Sequence, residues 1–174
     1  DSAFAYCSSL LGIVIPDSVE EIGKNAFDNC RSMASVSLPV NDKFTEIKIR
    51  TFINCNALKQ VSIPDNIIKI GFSAFSDCSG LTYVKLSQNL KELGGNTFRR
   101  CVGLTEIKIP KSLEKASDTW DKVGEIGEFY GCDNLKDVSF EDGLSVITPM
   151  LFYNCNGIEK LEIPDTVTEI GNSS

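Results

Sequence analysis

Apolar positions recur along the chain with a period of 23 residues. The recurring pattern can be written F-x-x-C-x-x-L-x-x-V-x-I-P-x-x-V-x-x-I-G-x-x-A, and successive copies lie 23, 25, 23, 23, 31 and 23 residues apart. A fixed period of roughly 20 to 50 residues predicts a solenoid in which each copy forms one coil. Seven copies are in register, and a cysteine marks each of them: Cys7, Cys30, Cys55, Cys78, Cys101, Cys132 and Cys155.

Each part of the repeat predicts one element of a coil. The alternation in L-x-x-V-x-I predicts a short strand with one buried face, and strands stacked coil on coil form a parallel sheet. The proline that follows in most copies ends that strand. V-x-x-I predicts a short second strand or extended segment, and the glycine after it suits a positive φ. F-x-x-C predicts a single helical or 3₁₀ turn. We therefore predict one α/β-type solenoid domain over residues 1–174.

The composition narrows the possible functions. The chain has 17 Lys and Arg residues against 24 Asp and Glu, and the basic residues are scattered, which argues against nucleic acid binding. It contains no histidine, the commonest general base and metal ligand. No apolar run approaches the roughly 18 residues of a membrane span. We therefore predict a protein without enzymatic activity, cofactor or metal, and without membrane insertion in this part.

Seven cysteines could form disulfides, a zinc site, a catalytic nucleophile or a buried ladder. Disulfide scaffolds are typical of short chains with irregularly spaced, even-numbered cysteines. A zinc site needs four ligands that converge on one point, whereas one thiol per coil is spread along an axis. Nothing in the sequence sets one cysteine apart as a nucleophile. We therefore expect a structural ladder of free, buried thiols that fill a corner of each coil.

The natural binding surface of a solenoid is the outer face of its sheet. The residues between the apolar strand positions are exposed there, and the most varied of them are Tyr83, Lys85, Glu106 and Lys108. Tyrosine is enriched at binding hot spots, so these four residues are candidate partner contacts. The alternative is that they only solvate the sheet, with opposite charges pairing between neighbouring strands.

The longest step between copies contains a candidate loop. Residues 111–128 carry eight more residues than the standard coil, together with the single tryptophan of the chain, Trp120. Insertions in repeat proteins map to loops on one face, which is often the binding face. Trp120 is therefore a candidate contact for a partner. The alternative is that it folds back over the core at this irregular coil.

The repeat resembles a known family. L-x-x-V-x-I is the signature strand of leucine-rich repeats, and the segment Ile22–Cys30, I-G-x-x-A-F-x-x-C, is similar to the BspA-type subclass. The resemblance covers essentially the whole chain. It implies a right-handed coil with the parallel sheet on the concave face, and extracellular or cell-surface proteins of host-associated bacteria and some protozoa. It also implies adhesion and binding of host proteins, such as matrix or serum proteins.

Two functions remain open at this stage. The first is a non-enzymatic module for protein–protein binding at a cell surface. The second is a structural spacer that presents other domains and has no ligand of its own. The chain begins and ends inside a copy of the repeat, so we also expect it to be part of a longer array.

Overall fold

The computed structural model of the protein describes residues 1–116 and 127–172. These residues form thirteen short β-strands, and none of them lies in a helix. The strands are β1 (Gly12–Val14), β2 (Ser35–Ser37), β3 (Glu46–Ile47), β4 (Gln60–Ser62), β5 (Lys69–Ile70), β6 (Tyr83–Lys85), β7 (Glu92–Leu93), β8 (Glu106–Ile109), β9 (Lys115–Ala116), β10 (Asp137–Phe140), β11 (Val146–Ile147), β12 (Lys160–Leu161) and β13 (Glu169–Ile170).

One wall of the solenoid, the front sheet, takes one parallel strand from each coil. It comprises three hydrogen-bonded sets, β1–β2, β4–β6 and β8–β10–β12, which follow one another in chain order because β2 contacts β4 and β6 contacts β8. Gln60 pairs with Tyr83, 23 residues further on, so the sequence period sets the register directly. Between β8 and β10 the step is 31 residues, yet Glu106 still pairs with Asp137 in the same register. The longer step therefore leaves the register of the front sheet unchanged.

A second wall, the side ladder, is made of two-residue strands. β3, β5, β7 and β9 are paired in that order, and β11 pairs with β13. All of these pairs are parallel, as in Ile47 with Ile70 and Ile70 with Leu93. The V-x-x-I part of the repeat thus forms the predicted short second strand. A parallel solenoid of about 23-residue coils results, as the sequence predicts.

The Phe-x-x-Cys segments form a third wall of hydrogen-bonded turns. Within one coil the N–H of Cys30 donates to the carbonyl of Phe27 at 3.2 Å, which closes the predicted single turn. The N–H of Phe27 instead donates to Thr51 of the next coil at 2.9 Å. N–H groups that bond within the coil alternate with N–H groups that bond to the next coil, so the turn does not extend into a helix. The residue before each cysteine has a φ between 55° and 69°: Tyr6, Asn29, Asn54, Asp77, Arg100, Gly131 and Asn154.

The glycines after the second strands have a different role from the one predicted. We expected them to provide a positive φ, but neither Gly71 nor Gly94 has one. A Cβ atom at Gly94 would lie 2.5 Å from the backbone nitrogen of Phe72 in the preceding coil. Glycine is therefore needed because neighbouring backbones approach closely, and the expectation of positive φ at these positions was wrong.

The core is a continuous stack along the solenoid axis. The phenylalanine rings stack in six successive pairs from Phe4 to Phe152, with centroids 5.1 to 5.5 Å apart. The five rings between these ends are at most 2% exposed. Each coil thus buries its apolar side chains mainly against the coils before and after it, which is how repeat proteins gain stability.

Candidate partner-binding surface

The side chains at the first and third positions of the front-sheet strands point outward and form what we term the front face. Strand burial alternates: Val61, Val84 and Ile107 are buried, whereas the residues on either side of each are exposed. The front face consists of Gly12, Val14, Ser35, Ser37, Gln60, Ser62, Tyr83, Lys85, Glu106, Lys108, Asp137, Ser139, Lys160 and Glu162.

The front face changes character along the solenoid. Over β1, β2 and β4 its residues are small or uncharged. From β6 onward it carries an aromatic ring and six charged side chains: Tyr83, Lys85, Glu106, Lys108, Asp137, Lys160 and Glu162. The aromatic and charged side chains that could bind a partner selectively are therefore concentrated on the second half of this face.

A groove of about 340 Å³ lies on this half. Tyr83, Lys85, Glu106 and Lys108, the four strand residues predicted from the sequence, all line it. Tyr83 is 43% exposed, so much of its ring is available for contact. The fifth predicted contact, Trp120, lies outside the described residues. A second, neighbouring groove of about 780 Å³ continues the surface across β10 and β12.

The groove also includes two front-face residues that were not chosen as predicted contacts. Asp137 and Ser139 line it beside Glu106 and Lys108, their in-register partners on β8. The signal that could have identified them was the preserved strand pattern on both sides of the 31-residue step. That pattern places the first position of one strand next to the first position of the following strand, whatever the length of the intervening loop.

The charges in the groove form no ion pairs within the described part of the chain. No ion pair there engages Lys85, Glu106, Lys108 or Asp137. Exposed charges elsewhere do pair: on the side ladder, the ammonium of Lys69 lies 3.7 Å from a carboxylate oxygen of Glu46 and 3.6 Å from one of Glu92. The groove thus differs electrostatically from the side ladder.

The cysteines are held by hydrogen bonds from coil to coil. The Sγ of Cys78 donates to the carbonyl oxygen of Phe52 in the preceding coil at 3.2 Å, and the same arrangement recurs from Cys30 to Cys155 at 3.0 to 3.3 Å. All seven thiols are free; Cys7 is exposed and Cys155 half-buried, and the other five are buried.

Burial keeps these thiols protonated. It raises the pKa of Cys30 to about 11 and that of Cys155 to about 12, and it also raises the pKa of Cys78 and Cys101. A thiol is nucleophilic only as the thiolate, so these buried groups are unreactive at neutral pH. Their hydrogen bonds and burial give them a structural role in the third wall.

Two further kinds of site were sought among the described residues. No group of three or more Cys, Asp or Glu side chains there is arranged to hold a metal ion. Within residues 1–116 and 127–172 there is also no helix long and apolar enough to cross a membrane.

Known proteins share the repeat and the fold. The family model for the BspA type leucine rich repeat region matches residues 1–120 and 117–174 with six copies. No curated protein sequence is detectably similar to the chain. A leucine rich repeat protein from T. pallidum has 30% sequence identity and a TM-score of 0.75, over 91% of this chain and 70% of that one.

Two further solved structures are longer than this chain. A leucine-rich repeat protein from Bacteroides ovatus has 29% identity and a TM-score of 0.66, over 98% of this chain and 47% of its own. A leucine rich cell surface protein from Faecalibacterium prausnitzii has 24% identity and a TM-score of 0.59, over 95% of this chain and 48% of its own. This chain therefore spans about half the length of these two proteins.

Proposed function

The chain belongs to the BspA-type leucine-rich repeat family, and we propose that it is a non-enzymatic module that binds a protein partner through the front face. The observation that carries the proposal is the groove between β6 and β10. It combines a half-exposed aromatic ring with charges that no ion pair neutralises within the described residues. Exposed aromatic and charged groups in one concave patch are typical of protein-binding hot spots.

A binding role without catalysis is supported by the side chains that the chain contains. It has no histidine, and the pKa values of its buried thiols are raised by desolvation, as for Cys78 and Cys101. The groove itself contains carboxylates, ammonium groups and a phenol on exposed strands. These groups suit recognition, because none of them is buried beside a second group that would activate it.

We further propose an extracellular or cell-surface location, with host matrix or serum proteins as partners. Support comes from the family and from the description of the F. prausnitzii relative as a cell surface protein. Free cysteines do not bear on this proposal, because one thiol per coil is explained by packing and by the bond to a phenylalanine carbonyl.

The proposal can be tested with purified matrix and serum proteins immobilised on a biosensor. We expect wild type to bind at least one of them, and the change Tyr83→Ala to weaken that binding about tenfold, since hot-spot aromatics contribute strongly. Lys85→Ala and Lys108→Ala should each weaken it less. Trp120→Ala tests the predicted loop contact separately.

A matched control is Ser37→Ala, which changes the uncharged half of the same face and should leave affinity unchanged. Binding that none of the groove substitutions alters would contradict the choice of surface. If wild type binds none of the proteins, the result favours a spacer role, which the continuous core stack would also suit.

A further inference from the structure

Like charges lie next to each other in two columns of the front face. Lys85 and Lys108 occupy the third positions of β6 and β8, and both line the groove. Glu106 and Asp137 are in-register partners on β8 and β10. Hydrogen-bonded strands such as β8 and β10 lie about 4.8 Å apart, whereas β6 lies beside β8 without ladder pairing. Like charges placed opposite each other on neighbouring strands are unfavourable. The groove therefore carries two unfavourable pairs side by side.

The same molecule shows the favourable arrangement on the side ladder. There the in-register residues Glu46, Lys69, Glu92 and Lys115 alternate in sign. Lys69 makes ion pairs with both of its acidic neighbours. Exposed ladders in this protein can thus be charge-compensated, and the departure from alternation is specific to the front face.

In the part that the structure describes, the chain's own charges form no ion pair with the lysine column, and they reach the acidic column only at its Lys160 end. The lysine column is bordered by Ser62 and Ser139, which are uncharged. In the acidic column, Asp137 is followed by Lys160, whose ammonium makes its ion pair with Glu162. Glu162 raises the pKa of Lys160 most, and the negative charge of Asp137 raises it further, so only the Glu106 end of this column lacks a counter-charge on a neighbouring strand. Within the described residues, no ion pair links the lysine column to the acidic column.

From this arrangement we infer that the groove takes a bipolar segment of a partner protein. The segment places an acidic side chain between Lys85 and Lys108, and a basic side chain between Glu106 and Asp137. The inference rests on the proposed function, because it specifies which protein surface the front face recognises. Tyr83 stands at the end of the acidic column and provides an apolar contact beside the charges.

The geometry also restricts the spacing within the partner. The two columns lie two residues apart along each strand, which corresponds to about 6.6 Å. The two charge pairs are also offset by one strand, so roughly 8 Å separates their centres. Residues i and i+2 of an extended segment are about 6.6 Å apart, and the long side chain of a lysine spans the remainder, so a Lys-x-Asp sequence matches both columns. A polyanion fits poorly, because the acidic column lies beside the lysines and the chain has a net charge of −7.

A charge swap on β8 tests the inference without changing composition or net charge. The double variant Glu106→Lys/Lys108→Glu makes both columns alternate in sign, although the weaker diagonal neighbours become alike. We expect its melting temperature to rise by about 1–2 °C at low salt, with a smaller gain at high salt because of screening. The control Lys69→Glu breaks the alternating side ladder and should lower the melting temperature.

Binding is measured with three peptides of equal length on a biosensor: repeats of Lys-Ser-Asp-Ser, Asp-Ser-Asp-Ser and Lys-Ser-Lys-Ser. The swap should weaken binding of the bipolar peptide about fivefold or more, and Lys69→Glu should leave it unchanged. Because the swap preserves net charge, nonspecific binding of the basic peptide should be equal in wild type and swap. The inference fails if the double variant has a lower melting temperature than wild type. It also fails if the bipolar peptide binds wild type no more tightly than it binds the double variant.

The outcomes separate this inference from the proposed function. If a matrix or serum protein binds wild type and the swap equally, but Tyr83→Ala loses it, the front face is the binding surface and the bipolar inference is wrong. If neither the proteins nor the bipolar peptide bind wild type, both proposals fail.

Discussion

At the residue scale, left-handed backbone positions recur inside the Phe-x-x-Cys turn, just before the cysteine, and two residues before its phenylalanine. Before the cysteine the chain usually places Asn, Asp or Gly, which tolerate positive φ best. Four residues earlier the fit is poorer, since Arg50, Ser73 and Met150 have φ values of 54° to 59°. Ordinary side chains in this region cost about 1–2 kcal/mol each. The third wall is therefore more strained in some coils than in others.

Arg50 is the clearest position at which to test this strain. Its side chain is exposed, and its φ is 54°. Arg50→Asn should raise the free energy of unfolding by about 0.5–1 kcal/mol, because asparagine adopts this conformation more readily. The measurement is the midpoint of urea unfolding. Arg50→Ala is the control: alanine keeps the steric penalty, so an equal gain in that variant would contradict the backbone explanation.

At this scale the sequence predicted burial better than backbone conformation. Hydrophobic periodicity correctly placed Phe75, Leu81 and Val84 in the core. It assigned the positive φ values to the glycines after the second strands, because glycine is the usual residue for that conformation. A usable signal was present in the recurrence of Asn, Asp or Gly before most cysteines, as at Asn54 and Asp77. The residues found at one position in all seven copies therefore indicate a positive φ better than the presence of a glycine at a single position does.

At the element scale, the close approach of successive coils determines which residues fit beside the side ladder. At Gly94 a Cβ atom would lie 2.5 Å from the nitrogen of Phe72 and 2.6 Å from the carbonyl carbon of Gly71. Backbone atoms cannot move aside as a flexible side chain can. At Gly94 the side ladder therefore keeps its spacing only while the residue lacks a side chain.

We expect Gly94→Ala to destabilise the protein by about 2–3 kcal/mol, a typical result of overpacking. The measurement is thermal or urea unfolding followed by circular dichroism. Lys48 occupies the same position of the repeat in an earlier coil and already has a Cβ, so Lys48→Ala provides the control. It should cost much less than Gly94→Ala, because it removes a partly covered side chain and an ion pair to the exposed Glu21 without bringing any backbone atoms into collision. Equal effects of the two changes would contradict the close-approach argument.

The strands and much of the groove could be predicted because both follow from register. Once the period is known, Tyr83 and Glu106 must be neighbours on adjacent strands, and the structure places both in the groove. The repeat pattern also gives Asp137 the position equivalent to Glu106, but it does not show that the groove extends across the longer step to β10. The absence of counter-charges could not be predicted, since it depends on the conformations of long side chains.

At the scale of the whole molecule, the thiol ladder makes the stability of the fold depend on pH. Cys30, Cys55, Cys78, Cys101, Cys132 and Cys155 each donate to a phenylalanine carbonyl in the preceding coil. Burial raises the pKa of Cys78 and Cys132, and that of Cys30 to about 11, from an ordinary value of 9.0. The folded chain therefore keeps these protons at pH values where the unfolded chain has lost them.

This linkage predicts unfolding at alkaline pH. A group with a raised folded pKa stabilises the fold fully below its unfolded pKa, and the contribution declines above it. Each thiol should therefore reduce the free energy of unfolding by up to about 1.4 kcal/mol per pH unit above pH 9, up to its own folded pKa. Six thiols together approach roughly 8 kcal/mol per pH unit, which is comparable to the total stability of a typical domain. We expect the solenoid to unfold between about pH 9 and pH 11.

Two serine substitutions separate the thiols from the lysines and tyrosines that ionise in the same range. Cys78→Ser removes one buried thiol, so the dependence of unfolding free energy on pH above 9 should become shallower by about 1.4 kcal/mol per pH unit. Cys7→Ser removes an exposed thiol and should leave that slope unchanged. Urea unfolding at a series of pH values measures both slopes. Identical slopes in the two variants would show that the buried thiols do not control alkaline stability, whatever the cost of Cys78→Ser at neutral pH.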